Sequence, residues 1–252
     1  RILFQLQAHG LKSVTRAGGG EPFESPHWRY AVNLAHDMGL DQGCYSYLPG
    51  LDQEMADFLA GRMQFVYTHS CKTRHLTKPK GNATWTYGFL LDSENWRKVL
   101  GMAARVDWNF FDYCDFRPLA PENKLDPTVL DYSWIPEGLK LLVETQRRFP
   151  RVRHADYKFI RMESPREYST CFSTDFTTCI GPNADVYECT NRRGFPDSIL
   201  GNLLTEDLAS IWKRKKRCRS DLSGCRLQCR NDSMNRTLFT IFGEEMQHVN
   251  FT

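Results

Sequence analysis

Arg16-Ala17-Gly18-Gly19-Gly20-Glu21-Pro22 is the run from which the rest of the chain is read. Residues 11–15 before it suit a strand, and a helical pattern follows over 28–38, so the glycines stand at a strand-to-helix turn. Three glycines in a row leave no Cβ between the backbone N–H groups and a ligand. Glu21 adds a carboxylate at the rim of that turn. In parallel sheets, ligands settle at the C-terminal strand ends, which is where this turn lies.

The surrounding pattern repeats strand and helix. Ile2, Leu3 and Leu6 give a first helix that Gly10 ends. Ser25 and Pro26 suit the cap and first position of a second helix, which carries Trp28, Ala31, Val32, Ala35 and Met38 and closes at Gly39. Further strands are expected at 43–47, 65–68, 85–91 and 107–113. Between them lie a helix with Met55, Phe58 and Leu59, a polar loop over 70–83, and a helix with Trp96, Val99, Leu100 and Ala103 capped by Asp92 or Ser93. About five strands alternating with helices predict a parallel sheet of βαβ units over residues 1–120. Residues 121–165 then read as a connection, with a helix opening at Pro136 and ending at Pro150 and a strand at 157–162.

Composition narrows the function. The chain has 252 residues, 41% of them hydrophobic, and a net charge of +3, too small to call for nucleic acid. It has no apolar run long enough for a membrane span and no signal peptide, so no membrane partner is expected. Nine cysteines, an odd number, fit metal ligation in a reducing compartment better than a disulfide framework, and the expected location is cytoplasmic. Cys44, Cys71 and Cys114 fall in or beside strands and read as packed thiols. His36, His69 and His75 have no ligand spacing to any cysteine. The aromatic residues Trp85, Tyr87, Phe89, Trp108 and Phe110 read as core.

The other cysteines form a pattern. Cys171 and Cys189 stand at the ends of two alternating arms, 176–180 and 185–187, joined by Gly181-Pro182-Asn183-Ala184, so a hairpin brings them together. Gly201-Asn202-Leu203 leads into a helix with Leu204, Leu208, Ile211 and Trp212. Cys225 and Cys229 follow, with three residues between them. Four thiolates on one site suit either an iron–sulfur cluster or tetrahedral zinc, and the spacing leaves both open. Cys218 competes with Cys225, and Cys179 is a spare thiol on the hairpin. Residues 213–219, Lys-Arg-Lys-Lys-Arg-Cys-Arg, read as a basic helix end that complements the helix dipole. Contact with a phosphate group or nucleic acid is the second reading of that run.

The glycine turn with Glu21-Pro22 resembles the SAM-binding motif of radical S-adenosylmethionine (SAM) enzymes. The segment from Cys171 through Gly201-Asn202-Leu203 and Ile211-Trp212 to Cys229 is similar to their C-terminal auxiliary-cluster region of SPASM or twitch type. Ala184 stands where that pattern has glycine, and Asn183 is expected to take the positive φ instead. The resemblance implies a partial (β/α)6 TIM-like barrel lacking its first strand over residues 1–120. A small α+β auxiliary-cluster domain is implied over 166–252. It implies SAM bound by Gly18, Gly19, Gly20 and Glu21, with Thr68 and Ser70 near the ribose, and an auxiliary [4Fe–4S] cluster on Cys171, Cys189, Cys225 and Cys229. Lys78 and Lys80 are candidates for the SAM carboxylate, although a solvated loop is the plainer reading.

The family's CxxxCxxC loop does not occur in this chain. Cys225 and Cys229 have its first spacing, but Asp232 holds the third place. The chain begins at Arg1, inside an apolar pattern, so a first strand and that loop, with a second [4Fe–4S] cluster, are expected upstream. The implied activity is hydrogen abstraction by a 5′-deoxyadenosyl radical, oxidising or cross-linking a small molecule or peptide, with flavodoxin or ferredoxin as electron donor. The alternatives are a non-catalytic, zinc-stabilised relative and a nucleic-acid- or peptide-binding module.

Overall fold

The computed structural model describes residues 1–18, 20–69, 72–120, 130–162, 166, 168–214, 222, 225, 229 and 231–242. The chain divides into two compact units, one of residues 3–119 and 131–159 and one of residues 160–252 with 120–130.

The first unit is a six-stranded parallel sheet in sequential order, the arrangement of a partial TIM-like barrel. Its elements run α1 (Ile2–Ala8), β1 (Ser13–Arg16), α2 (Trp28–Asp37), β2 (Asp41–Ser46), α3 (Gln53–Ala60), β3 (Phe65–Thr68), β4 (Thr84–Leu91), α4 (Val99–Arg105), β5 (Tyr113–Pro118), α5 (Ile135–Arg148) and β6 (Val152–His154), followed by α6 (Asp156–Ile160). Local chemistry sets the boundaries. The Asp52 carboxylate accepts the Met55 N–H at 2.7 Å and starts α3, and Asp92 accepts from Glu94 and Asn95 at 2.9 Å before α4. One sheet face packs against helices through buried Cys44, Val66, Trp85 and Phe116.

Three expectations differ from what forms. Residues 107–111 are a turn, not a strand: Asp107 O accepts from Phe110 and Phe111 N–H at 3.0 and 2.9 Å, and β5 starts at Tyr113. The aromatic run there is buried as loop. The strand expected at 157–162 is replaced by the short helix α6, with Asp156 in its first turn and Phe159 buried. The sixth strand is instead β6, which continues the sheet beside β5.

The second unit holds an antiparallel sheet of β7 (Cys179–Ile180), β8 (Asp185–Tyr187) and β9 (Ile199–Asn202), with helices α7 (Leu208–Arg214) and α8 (Asp232–Phe242). The hairpin forms with shorter arms than expected. Ala184 itself takes the positive φ, at 66°, and Asn183 does not. Ala184 N–H donates to Gly181 O at 3.0 Å and Gly181 N–H to Asp185 O at 2.8 Å, a turn closed by one left-handed residue. Asn202 ties this turn to β9. Its Nδ2 donates to Asn183 O and Asp185 Oδ1, both at 2.8 Å, while Leu203 N–H donates to Ala184 O at 3.0 Å. Leu204 lies before α7 and is exposed; Leu208 and Ile211 carry the buried face of that helix.

Candidate cofactor turn and metal centre

The glycine turn is anchored from both sides. Arg16, the last residue of β1, donates to Gln42 Oε1 at 2.6 Å and to Ala31 O at 2.8 Å. Gln42, 2% exposed, passes the link on to Val32 O and Arg62 O. Burial lowers the Arg16 pKa, and the nearby Cys44 works against it. Beyond Arg16 the turn opens to solvent: Gly18 and Gly20 are exposed, with Gly20 at a φ of 132°. Gly19 lies outside the described residues.

Glu21 closes the turn onto the end of β2. Its Oε1 accepts from Phe23 N–H at 3.1 Å, capping a 3-10 turn over Pro22–Glu24, and from Ser46 Oγ at 2.5 Å. Its Oε2 accepts from Tyr47 N–H at 2.8 Å. Carboxylate oxygens have two acceptor positions each, so Oε2 keeps one for a ligand. Thr68 ends β3 and is fully buried. Ser70 lies outside the described residues. Lys78 is in an ion pair with Asp112.

In the second unit, Cys171, Cys189, Cys225 and Cys229 line one cavity. Backbone and amide N–H groups point at the sulfurs. Asn191 N–H donates to Cys189 Sγ at 3.2 Å and its Nδ2 to Cys229 Sγ at 3.6 Å. Asn231 N–H donates to Cys229 Sγ at 3.4 Å, and Asn235 Nδ2 to Cys171 Sγ at 3.4 Å. The Asn235 Oδ1 also accepts from Phe172 and Ser173 N–H, each at 2.9 Å, so one side chain of α8 fixes the Cys171 segment. Buried Asp232 at the head of α8 is held by Arg161 and, at 3.0 Å, by Arg236.

Burial pushes the Cys189 thiol up against the pull of the Asn191 N–H, and the neighbouring Cys171 and Cys225 sulfurs add to the rise. Burial likewise carries Cys229 up to about 11. A cation among the sulfurs reverses this, because a coordinated thiol is deprotonated. Four thiols with N–H donors aimed at three of them form a donor set that fits a thiolate-bound metal centre. Among the described residues, no three His, Cys, Asp or Glu side chains close around a single-ion position.

Cys44 and Cys114 are buried in the sheet unit as packed thiols, and burial raises Cys44 to about 12. Cys71 and Cys218 lie outside the described residues, as do residues 215–219 of the basic run. Asn191, Asn231 and Asn235 carried no expectation from the sequence. The short spacing from Cys189 to Asn191 and from Cys229 to Asn231 was the available signal, since an N–H two residues on can reach a cysteine sulfur.

No family model matches the sequence, nor does any curated protein. Solved structures do match. Streptococcus suis SuiB superposes with a TM-score of 0.58 at 12% identity, over 84% of this chain and 57% of SuiB. SuiB bound to S-adenosylmethionine gives 0.60 at 11%, and SuiB bound to precursor peptide SuiA gives 0.59 at 11%. Hexahistidine-tagged anSMEcpe with bound AdoMet gives 0.52 at 14%, over 80% of this chain and 64% of that one. This chain therefore spans a little over half the length of SuiB. At such identities the likeness concerns the fold alone.

Proposed function

We propose that this chain is the SAM-binding sheet and auxiliary-cluster region of a radical SAM enzyme acting on a peptide or small molecule. The observation that carries the reading is the convergence of Cys171, Cys189, Cys225 and Cys229 on one cavity with N–H donors at their sulfurs. Cys171 and Cys189 lie on one stretch of chain and Cys225 and Cys229 on another, and the fold brings both to one thiol-lined cavity. SAM with a reducing cluster would supply hydrogen-atom abstraction, and an all-cysteine auxiliary [4Fe–4S] centre would supply one-electron transfer.

The chain's own groups have the following parts. Gly18 and Gly20 offer backbone N–H groups to SAM without side-chain obstruction. Glu21 holds the turn to Ser46 and Tyr47 and offers its remaining Oε2 position to an ammonium group. The four thiolates hold the cluster, and Asn191 and Asn235 orient two of the sulfurs and soften their charge. A peptide substrate is supported by the likeness to SuiB, which was solved with a precursor peptide.

The test is anaerobic reconstitution with iron and sulfide, followed by metal analysis and equilibrium dialysis with SAM. We expect a brown chain with iron and sulfide in equal amounts, absorbing in the visible, that binds SAM and loses that binding in Glu21→Ala. A chain that keeps zinc, refuses iron and binds no SAM overturns the reading.

A further inference from the structure

The inner face of the six-stranded sheet carries charges that the proposed cofactor groups do not use. Residues alternate across each strand, so Tyr45, Tyr67, Gly88, Asp115, Arg117 and Arg153 share this face, opposite the helix-packed one. A Cβ on Gly88 would collide with the Tyr67 ring and hydroxyl, so the bare backbone lets that ring lie across β4. The Arg117 guanidinium stacks over Tyr67 at 4.3 Å and faces Tyr45 at 5.8 Å. Asp115 accepts from Arg117 Nη2 at 3.3 Å and from Arg153 Nε at 2.8 Å.

Two groups in this cluster have bonding capacity to spare. The Arg117 side chain is only 27% exposed, yet one of its five N–H donors is used. Tyr67 is 4% exposed, and its hydroxyl has no hydrogen-bond partner among the described residues. A buried hydroxyl left unsatisfied beside an under-used guanidinium is costly unless a ligand supplies an acceptor. Two arginines against one aspartate leave a surplus of a single positive charge. That surplus matches a monoanion, and the Asp115 oxygens beside it disfavour a dianion. Arg117 lies towards the C-terminal end of β5, the end of a parallel sheet that receives ligands.

We propose that Arg117 and Tyr67 form a carboxylate-binding site on the inner face of the sheet, with Arg117 meeting the two oxygens in a fork and the Tyr67 hydroxyl donating to one. Assigning that carboxylate to the substrate, as an acidic side chain or chain terminus, rests on the functional reading above. The methionine end of SAM carries the same chemistry.

The experiment is calorimetric titration of the cluster-loaded full chain with four probes: N-acetylglutamate α-amide (one carboxylate), N-acetylglutamine α-amide (none), SAM and decarboxylated SAM. Arg117→Gln and Tyr67→Phe are compared with the parent. We expect N-acetylglutamate α-amide to bind where N-acetylglutamine α-amide does not, the binding to vanish in R117Q, and Y67F to weaken it about tenfold. Y67F removes a hydroxyl without a partner among the described residues, so it should melt at the parent's temperature and keep the test valid if R117Q folds poorly. If instead both variants weaken SAM at least tenfold and spare decarboxylated SAM, the site stands and its carboxylate belongs to SAM. If neither variant changes any probe, or inorganic phosphate binds more tightly than N-acetylglutamate α-amide, the proposal falls. Failure of the parent to bind SAM defeats the functional reading alone, since carboxylate binding through Arg117 is read separately.

Discussion

At the scale of single residues, Ala184 is held where an L-residue is strained. Its φ of 66° closes the turn between β7 and β8, and a Cβ in that region costs about 1–2 kcal/mol. Ala184→Gly removes that strain but gives the unfolded chain more freedom, which takes back about 0.4–1 kcal/mol. We expect a net gain of about 0.5–1 kcal/mol, read as a higher urea midpoint with an unchanged slope. His69 gives a second prediction. Burial holds its imidazole below the ordinary value of 6.5, despite the Gly88 carbonyl, and Arg117 pushes the same way. The unfolded chain therefore takes up a proton at a higher pH than the folded one. Stability is full above about 6.5, falls as the pH drops through that value, and levels off below the folded pKa. His69→Gln should shrink the loss of urea midpoint between about pH 7.5 and about pH 5.5; an undiminished loss would place the effect elsewhere. The sequence revealed the glycine turn and the four cysteines because those residue types are rare and their spacing is informative. It concealed Arg117 and Tyr67, because one arginine in a strand and one tyrosine in another become a site only when the strand register sets them side by side.

At the scale of elements, periodicity found the strands with strong apolar content and failed where burial and polarity part company. β4 and α3 follow the expected pattern because their buried positions, Thr86 apart, are apolar. β6 escaped because it is three residues long and turns Arg153 inward. α8 escaped for a sharper reason: its buried residues are Asp232 and Asn235, so its inner stripe is polar and carries no hydrophobic signal. Missing that helix meant missing the amide that reaches Cys171. Removing the amide should loosen the cysteine unit. Asn235→Ala strands the Phe172 and Ser173 N–H groups, and we expect a loss of about 2–3 kcal/mol in denaturant unfolding of the metal-free chain. Gly201 in β9 makes the complementary case. A Cβ there would stand 2.8 Å from Ile211 Cγ1, 2.7 Å from Glu206 Oε1 and 2.6 Å from Arg214 Nη2. The polar tips can swing away, but Ile211 is fully buried, so α7 must shift. Gly201→Ala should cost about 1–3 kcal/mol. A neutral result would mean that α7 does not pack on β9 in this register.

At the scale of the whole molecule, the two units have different sources of stability. The sheet unit buries large side chains such as Trp85, Phe110, Phe111 and Phe116. The cysteine unit has few such groups among its described residues. Much of its buried interior is polar: Asp232, Asn235, Ser173 and Thr174 are buried, and Asn235 and Thr174 line the thiol cavity. A unit of that kind would draw folding free energy from a bound cluster, because a centre bound only by the folded state adds its binding free energy to stability. Iron and sulfide loading should therefore act unequally along the chain. In hydrogen exchange by mass spectrometry, reconstitution is expected to slow exchange in peptides covering 168–192 and 231–242, where N–H groups of Asn191 and Asn231 face sulfur. Peptides covering β2 and β4 should exchange as before, since their strands lie in the sheet unit. Replacing Cys189 with alanine should abolish the protection, whereas Cys44→Ala, a packed thiol in the sheet unit, should leave it intact. Protection spread evenly over both units, or surviving the loss of Cys189, would show that the metal does not sit on these four thiols.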